Sequence, residues 1–207
     1  YNKILTQRNS LLKYFFINKK FDENTIDAYD QQLISLGTPI YTERNRFLKS
    51  FIPIFKKYYN NISSGDDSVN IKYNSHLNEG SFKEIINSSI SKDRFVQYTT
   101  KGIHKDDLEF LIDGNKIKNF GSQGQQKSFL VSLKLAQFEY YKDQLGSSPI
   151  VLLDDIFDKL DQSRVSQIVN ILEKNEFGQI FITDTHRERV EDALKDSSNK
   201  EEIFNIQ

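Results

Sequence analysis

Pro149-Ile150-Val151-Leu152-Leu153-Asp154-Asp155 decides the fold of this chain. An unbroken apolar run behind a Ser-Ser-Pro turn predicts a buried parallel strand, because a half-exposed strand alternates polar and apolar residues. Two carboxylates close the run, at the strand edge where open α/β sheets place their ligands. Walker-type nucleotide hydrolases need such a pair. One carboxylate holds Mg²⁺ through its water shell, and its neighbour orients or deprotonates the attacking water. A core strand ending in a capping Asp-Asp would read the same in this stretch alone, so its surroundings must decide.

Downstream, Asp158-Lys159-Leu160-Asp161 precedes a helical pattern over 162–175, with Val165, Ile168, Val169 and Leu172 on one face. After Gly178 a second apolar strand, Gln179-Ile180-Phe181-Ile182-Thr183, leads into Asp184-Thr185-His186. Thr185 and Glu188 have capping-box spacing, which predicts a helix starting there. Strand, helix, strand and helix with short connections predict a parallel βαβ unit. Asp154, Asp155 and the Asp184-Thr185-His186 cluster then share one sheet edge.

Upstream, Gly121-Ser122-Gln123-Gly124-Gln125-Gln126-Lys127-Ser128 opens a helix whose apolar positions include Phe129, Leu130, Leu133, Ala136 and Tyr140. The string nearly matches the phosphate loop G-x-x-x-x-G-K-[ST] but carries Gln126 where the last glycine belongs. A side chain there obstructs the phosphate, and polar Lys116-to-Phe120 is no buried strand, so a Walker A is rejected. An ABC-type signature, Ser-x-Gly-Gln at a helix N-terminus, fits better. Free backbone N–H groups, the helix dipole and a small hydroxyl suit it to a terminal phosphate. An ordinary Gly/Ser helix cap is the competing reading, and the order of signature before Walker B strand argues against it.

The signature string, then Leu133-Lys134-Leu135-Ala136, then Leu152-Leu153-Asp154-Asp155-Ile156-Phe157-Asp158-Lys159-Leu160-Asp161 resemble the RecF family, bacterial DNA replication and repair proteins related to SMC-type ABC ATPases. Thr100-Lys101-Gly102-Ile103-His104-Lys105-Asp106-Asp107-Leu108 resembles that family's Gly-Pro-His-Arg-Asp-Asp-Leu segment, with Ile103 in place of proline. Gln7-Arg8-Asn9-Ser10-Leu11-Leu12-Lys13 resembles its Gln-Arg-Asn helix.

The resemblance implies an α/β fold: a helical signature-bearing lobe plus the C-terminal βαβ half of an ABC/SMC-type ATPase core. It implies ATP and Mg²⁺, with Asp154 as the Mg²⁺-water carboxylate and Asp155 as the water-orienting base. Ser122, Gln123, Gly124 and Gln125 would meet the γ-phosphate of ATP held by a second protomer, and Asp161 would lie in the loop crossing that interface. Asp184 or His186 would sense the γ-phosphate, the family's usual Thr-His being replaced here by Thr-Asp-Thr-His. DNA at gaps or single-strand/double-strand junctions, RecO, RecR and an ATP-dependent homodimer are the implied partners. The family's G-x-x-G-x-G-K-[ST] loop has no match in the chain and is expected upstream, making this the C-terminal part of a longer protein.

Composition agrees with a cytoplasmic protein: no apolar run approaches a membrane span, and there is no cysteine. Lys+Arg 28 against Asp+Glu 29 gives a net charge of −1, so a DNA-binding surface would need its charge segregated on one face.

Residues 1–143 read as a mainly helical lobe with a β-hairpin and the signature helix, and residues 144–207 as the Walker B half. Helices are expected over 4–18, 23–36, 46–59 and 81–95, with Gly37 and Pro39 ending or bending the second. The stripe Phe47, Phe51, Phe55, Tyr58 reads as core, and Arg44, Arg46, Lys49, Lys56 and Lys57 as a solvated face. A turn is expected over 63–67, an alternating strand at Val69, Ile71 and Tyr73, and a hairpin over 99–118 turning at Asp113-Gly114-Asn115. His104 and Asp106 would share one strand face. A reading from a different class is a non-hydrolysing scaffold that docks DNA or a repair partner.

Overall fold

The computed structural model describes residues 1–63, 67–174, 177–195 and 202–204. The middle of the expected turn at 63–67 and the end of the helical pattern at 175 lie outside them. The chain forms two compact units, one of residues 1–49 and 71–109, the other of residues 50–70 and 110–207.

In the first unit, α1 (Asn2–Ile17), the start of α2 (Glu23–Ser63) and α3 (Phe82–Val96) supply the core. Leu33, Leu77, Phe82, Ile86 and Ile103 form one buried cluster, and Leu12, Phe15 and Ile26 another. α3 starts with a capping box: Ser81 Oγ accepts from Glu84 N, and the Glu84 carboxylate accepts from Ser81 N at 2.9 Å. β1 (Val69–Asn74) buries Val69 and Ile71, the alternation expected of it.

Two expected helices are one. α2 runs 41 residues without interruption through Gly37 and Pro39. Glycine and proline are weak breakers here because tertiary packing outweighs local propensity. A Cβ built on Gly37 would stand 2.3 Å from the Phe82 ring, so the missing side chain is what lets α3 approach. Gly37→Ala is therefore expected to destabilise the protein by about 1–3 kcal/mol, the usual cost of overpacking. Thermal melts would check this, and an unchanged melting temperature would contradict the close approach.

The expected hairpin is shorter than drawn. β2 (Asp107–Ile112) pairs antiparallel with β3 (Asn115–Lys116), in a sheet of order β1-β2-β3. Asn115 belongs to the strand, and the turn is Asp113-Gly114, both at positive φ. Ile103–Lys105 is a 3₁₀ turn, so His104 and Asp106 do not share a strand face. His104 Nδ1 lies 3.0 Å from the Tyr1 hydroxyl and Nε2 3.1 Å from the Thr99 carbonyl, while burial depresses its pKa. That fits a neutral ring donating from Nε2. Asp106 accepts from Tyr73 and from Arg44, the latter at 2.7 Å. Both side chains are held in structural bonds.

Of the aromatic stripe of α2, Phe51, Phe55 and Tyr58 are core in the second unit, as expected, whereas Phe47, in the first, is 37% exposed. Phe55 and Tyr59 meet Phe129 at ring separations of 4.6 and 6.0 Å, and Phe110 meets it at 5.5 Å. After α4 (Ile117–Phe120) and α5 (Gln123–Leu145) come β4 (Val151–Asp154), α6 (Gln162–Lys174), β5 (Ile180–Thr183) and α7 (Arg187–Leu194). β4 and β5 pair in parallel with Asp154 opposite Thr183, the expected βαβ unit. The strand is not buried throughout, however. Val151 and Leu153 point inward, while Leu152 is 75% exposed and Ile150 63%. A single crossover helix covers one face of a parallel pair and leaves the other open.

Candidate nucleotide site

Ser122 is the N-cap of α5. Its hydroxyl oxygen accepts from Gln125 N at 3.2 Å, and Gln125 Oε1 accepts from Ser122 N at 2.8 Å. Gln126 N already bonds to the Ser122 carbonyl. The amides of Gln123 and Gly124, first in the helix, therefore point out of its end with no intrahelical acceptor. Because the Ser122 oxygen accepts, its hydrogen remains available to donate. An electropositive helix end with two backbone donors and one hydroxyl donor suits a terminal phosphate.

Neighbours hold this loop in place. Gln125 Nε2 donates to Asp67 at 3.0 Å, and Asp67 also accepts from Tyr59 at 2.8 Å, where burial and the carboxylate push the phenol pKa up. The Gln125 amide is thus committed to the loop on both its oxygen and its nitrogen. Beside Gly124 lies the Arg164 guanidinium, the mobile tip of a long side chain, 2.4 Å from where a Cβ would stand. Gln126 folds back onto the Gly121 carbonyl at 2.9 Å, and Lys127 Nζ donates to the Asp155 carbonyl at 2.6 Å. Neither residue shapes a phosphate cradle, so the rejection of a Walker A agrees with the geometry.

At the other end of that lysine bond stand the paired carboxylates. Asp154 ends β4 on an exposed position and accepts from the Thr183 hydroxyl. Asp155 N bonds to the Thr183 carbonyl at 3.0 Å, and the residue adopts φ +48°, a left-handed conformation that aspartate tolerates better than most. Asp161 caps α6 by accepting from Arg164 N at 2.9 Å, and its side chain is 60% exposed.

Asp184 and His186 differ sharply. The Asp184 side chain is fully buried and accepts from His186 N at 2.8 Å, closing a turn. The His186 ring is 66% exposed, with Thr185 Oγ1 at 2.9 Å from Nδ1. The capping box expected from Thr185 and Glu188 does not form: His186 is the N-cap of α7 and makes no side-chain cap bond. Thr185 spends its hydroxyl on the neighbouring ring instead.

Asp67 and Arg164 lie outside the motifs. Lys127 and Thr183 lie within them, but nothing there shows that Lys127 bonds to the Asp155 carbonyl or Thr183 to Asp154.

A parallel βαβ unit whose first strand ends in paired carboxylates, with the opening of α5 tied to it by Lys127, gives the second unit an α/β core. No family model matches the chain. It is 50% identical over 206 residues to the DNA replication and repair protein RecF of Flavobacterium johnsoniae, covering 100% of this chain and 57% of the relative. It is 43% identical over 208 residues to RecF of Phocaeicola vulgatus, covering 100% of this chain and 55% of that one. Among solved structures, the recombination mediator RecF with ATPrS superposes with a TM-score of 0.75 at 29% identity, over 91% of this chain and 52% of the other. The chain is similar to RecF proteins over the segment they share, and spans about half the length of the curated relatives it matches. No helix among the described residues is long and apolar enough to cross a membrane.

Proposed function

We propose that this chain supplies the signature, the Walker B carboxylates and the switch of an ATP-dependent DNA-binding protein in recombinational repair and replication-gap processing. The observation that carries the reading is the opening of α5, where the Gln123 and Gly124 amides and the Ser122 hydroxyl face outward, anchored through Lys127 to the Asp155 turn. Such an end is complete as a phosphate receptor only when a second protomer presents its nucleotide. ATP would therefore join two copies. The lobe of residues 1–143 presents the signature, and residues 144–207 carry the hydrolytic carboxylates. Gln125, whose amide holds Ser122 and Asp67, shapes the receptor and does not donate to it.

Asp154 and the Thr183 hydroxyl form an all-oxygen set at an exposed strand end, the kind of donor Mg²⁺ takes directly or through water. When bound, Mg²⁺ would neutralise charge developing on the phosphates. Asp155 would orient the attacking water and accept its proton, with hydrolysis slow. Asp161 would contact the partner protomer. Of the two switch candidates we assign His186, because its ring is exposed and Asp184 is consumed in a turn. The phosphate-cradling lysine would come from the rest of the protein, so this chain alone is expected to be inactive. The relatives are named replication and repair proteins, and one solved neighbour is placed in the RecFOR pathway. RecO, RecR and gapped DNA are the partners we propose on that basis.

Ser122→Arg in the full-length polypeptide tests the across-the-interface role. A lost helix cap costs about 0.5–2 kcal/mol and would leave nucleotide behaviour intact. The phosphate role predicts unchanged ATP binding by each protomer with loss of ATP-dependent dimerisation in sedimentation. Normal dimerisation by a well-folded variant would reduce Ser122 to a cap.

A further inference from the structure

The Asp155 turn is held from two sides. Its N–H donates to the Thr183 carbonyl of β5 at 3.0 Å. Its carbonyl accepts from Lys127 Nζ of α5 at 2.6 Å, across 28 residues of chain. Between those bonds Asp155 adopts φ +48°, and Lys159 further along the same connection adopts +61°. Left-handed backbone is unfavourable for a residue with a Cβ, so it persists only where the surroundings impose it. Buried Ile156 and Phe157 fix the chain that follows. The lysine bond holds the peptide that joins Asp155 to Ile156. Releasing that peptide lets φ relax, and because φ turns Cβ about the N–Cα bond, the Asp155 carboxylate would then point elsewhere.

Lys127 lies one turn into α5, directly behind Gln123, whose amide points out of the helix end. The connection approaches this helix a second time at Lys159, whose carbonyl stands 3.5 Å from where a Cβ on Gly124 would be. The path from β4 to α6 thus meets α5 at both of its left-handed residues. An ammonium only donates, so it suits a backbone carbonyl as its target. The side chain is half-buried over that target, unlike a lysine that merely solvates a helix face.

We infer that Lys127 is a positioning residue for hydrolysis: from the helix that meets the partner's phosphate, it holds the Asp155 turn of its own protomer and so aims the base at its own nucleotide. The inference rests on the reading of Asp155 as the base. It adds that the receptor and the base of one protomer are joined by this bond.

In the full-length polypeptide, Lys127→Met keeps most of the stem and removes the ammonium. At saturating ATP it should hydrolyse about tenfold to 10²-fold more slowly, the loss expected when a reacting group is slightly misplaced. ATP affinity and ATP-dependent dimerisation should be unchanged, which also shows the variant to be folded. Single-turnover hydrolysis and sedimentation read the two. Parent-rate hydrolysis, or a rate lost only in step with dimerisation, would overturn the assignment. Mixing Lys127→Met with an excess of Asp155→Asn protein separates action within a protomer from action across the interface. Every Lys127→Met subunit then faces a partner whose α5 is intact, and its hydrolysis should stay slow. Recovery to the parent rate per Lys127→Met subunit would place the lysine on the partner's nucleotide and end the proposal. The double variant should be no slower than Asp155→Asn alone, since no base remains to be aimed. A further loss as large as that of Lys127→Met would show independent action. If Asp155→Asn alone hydrolyses at the parent rate, the base reading itself falls, so the two failures are distinct.

Discussion

Asp155→Asn in the full-length polypeptide is expected to bind ATP normally, to hydrolyse it about 10²–10⁴-fold more slowly, and to persist as the ATP-bound dimer. The substitution removes the proton acceptor and little else. Asp155 sits at φ +48°, where asparagine is at least as well tolerated, and its contacts to Thr183 and Lys127 are made by backbone atoms. Asp154→Asn should act differently, weakening Mg²⁺-nucleotide binding while its hydrogen bond from Thr183 survives. Single-turnover hydrolysis and dimer lifetime, measured side by side, separate the two. Parent-rate hydrolysis by both variants would remove these residues from the mechanism.

Arg8→Met should unfold the first unit most readily of any single change considered, at a cost of about 3–5 kcal/mol. Arg8 is fully buried and binds Asp30, Asp93 at 2.7 Å and Thr99 at 2.9 Å. Methionine fills much of the volume but strands two buried carboxylates. The pH dependence identifies the charge as the cause. Burial already raises the Asp30 pKa, and Arg8 partly offsets that rise. A carboxylate with a raised folded pKa favours the folded state below its unfolded pKa and loses that contribution as pH rises through the folded value. Without Arg8 the rise grows, so the deficit of the variant should be large at neutral pH and shrink on acidification. Denaturant unfolding from pH 8 down to pH 5 would show this, and a deficit independent of pH would assign the loss to packing.

The resemblance of Gln7-Arg8-Asn9 to a family helix was legible in the sequence, but nothing in those residues says why they matter. Arg8 finds partners on α2 and α3, and Asn9 accepts from Thr99 at 2.8 Å. α5 was harder to read than α6. Its buried face includes Ser128 and Ser132, while Leu130, read as apolar stripe, is 51% exposed. The four apolar positions expected to face inward on α6 are all buried there, because its pattern follows a single helical stripe.

The sequence by itself determined the βαβ unit, the order of the α5 opening before the paired carboxylates, and the resemblance to RecF, since each rests on neighbours along the chain. Only the tertiary structure decided that Gly37 and Pro39 lie inside one helix, that Gly124 lies beside Arg164, and that Asp184 is buried where His186 is exposed. These outcomes depend on close approach between residues far apart in the chain, and packing distance leaves no mark in local composition.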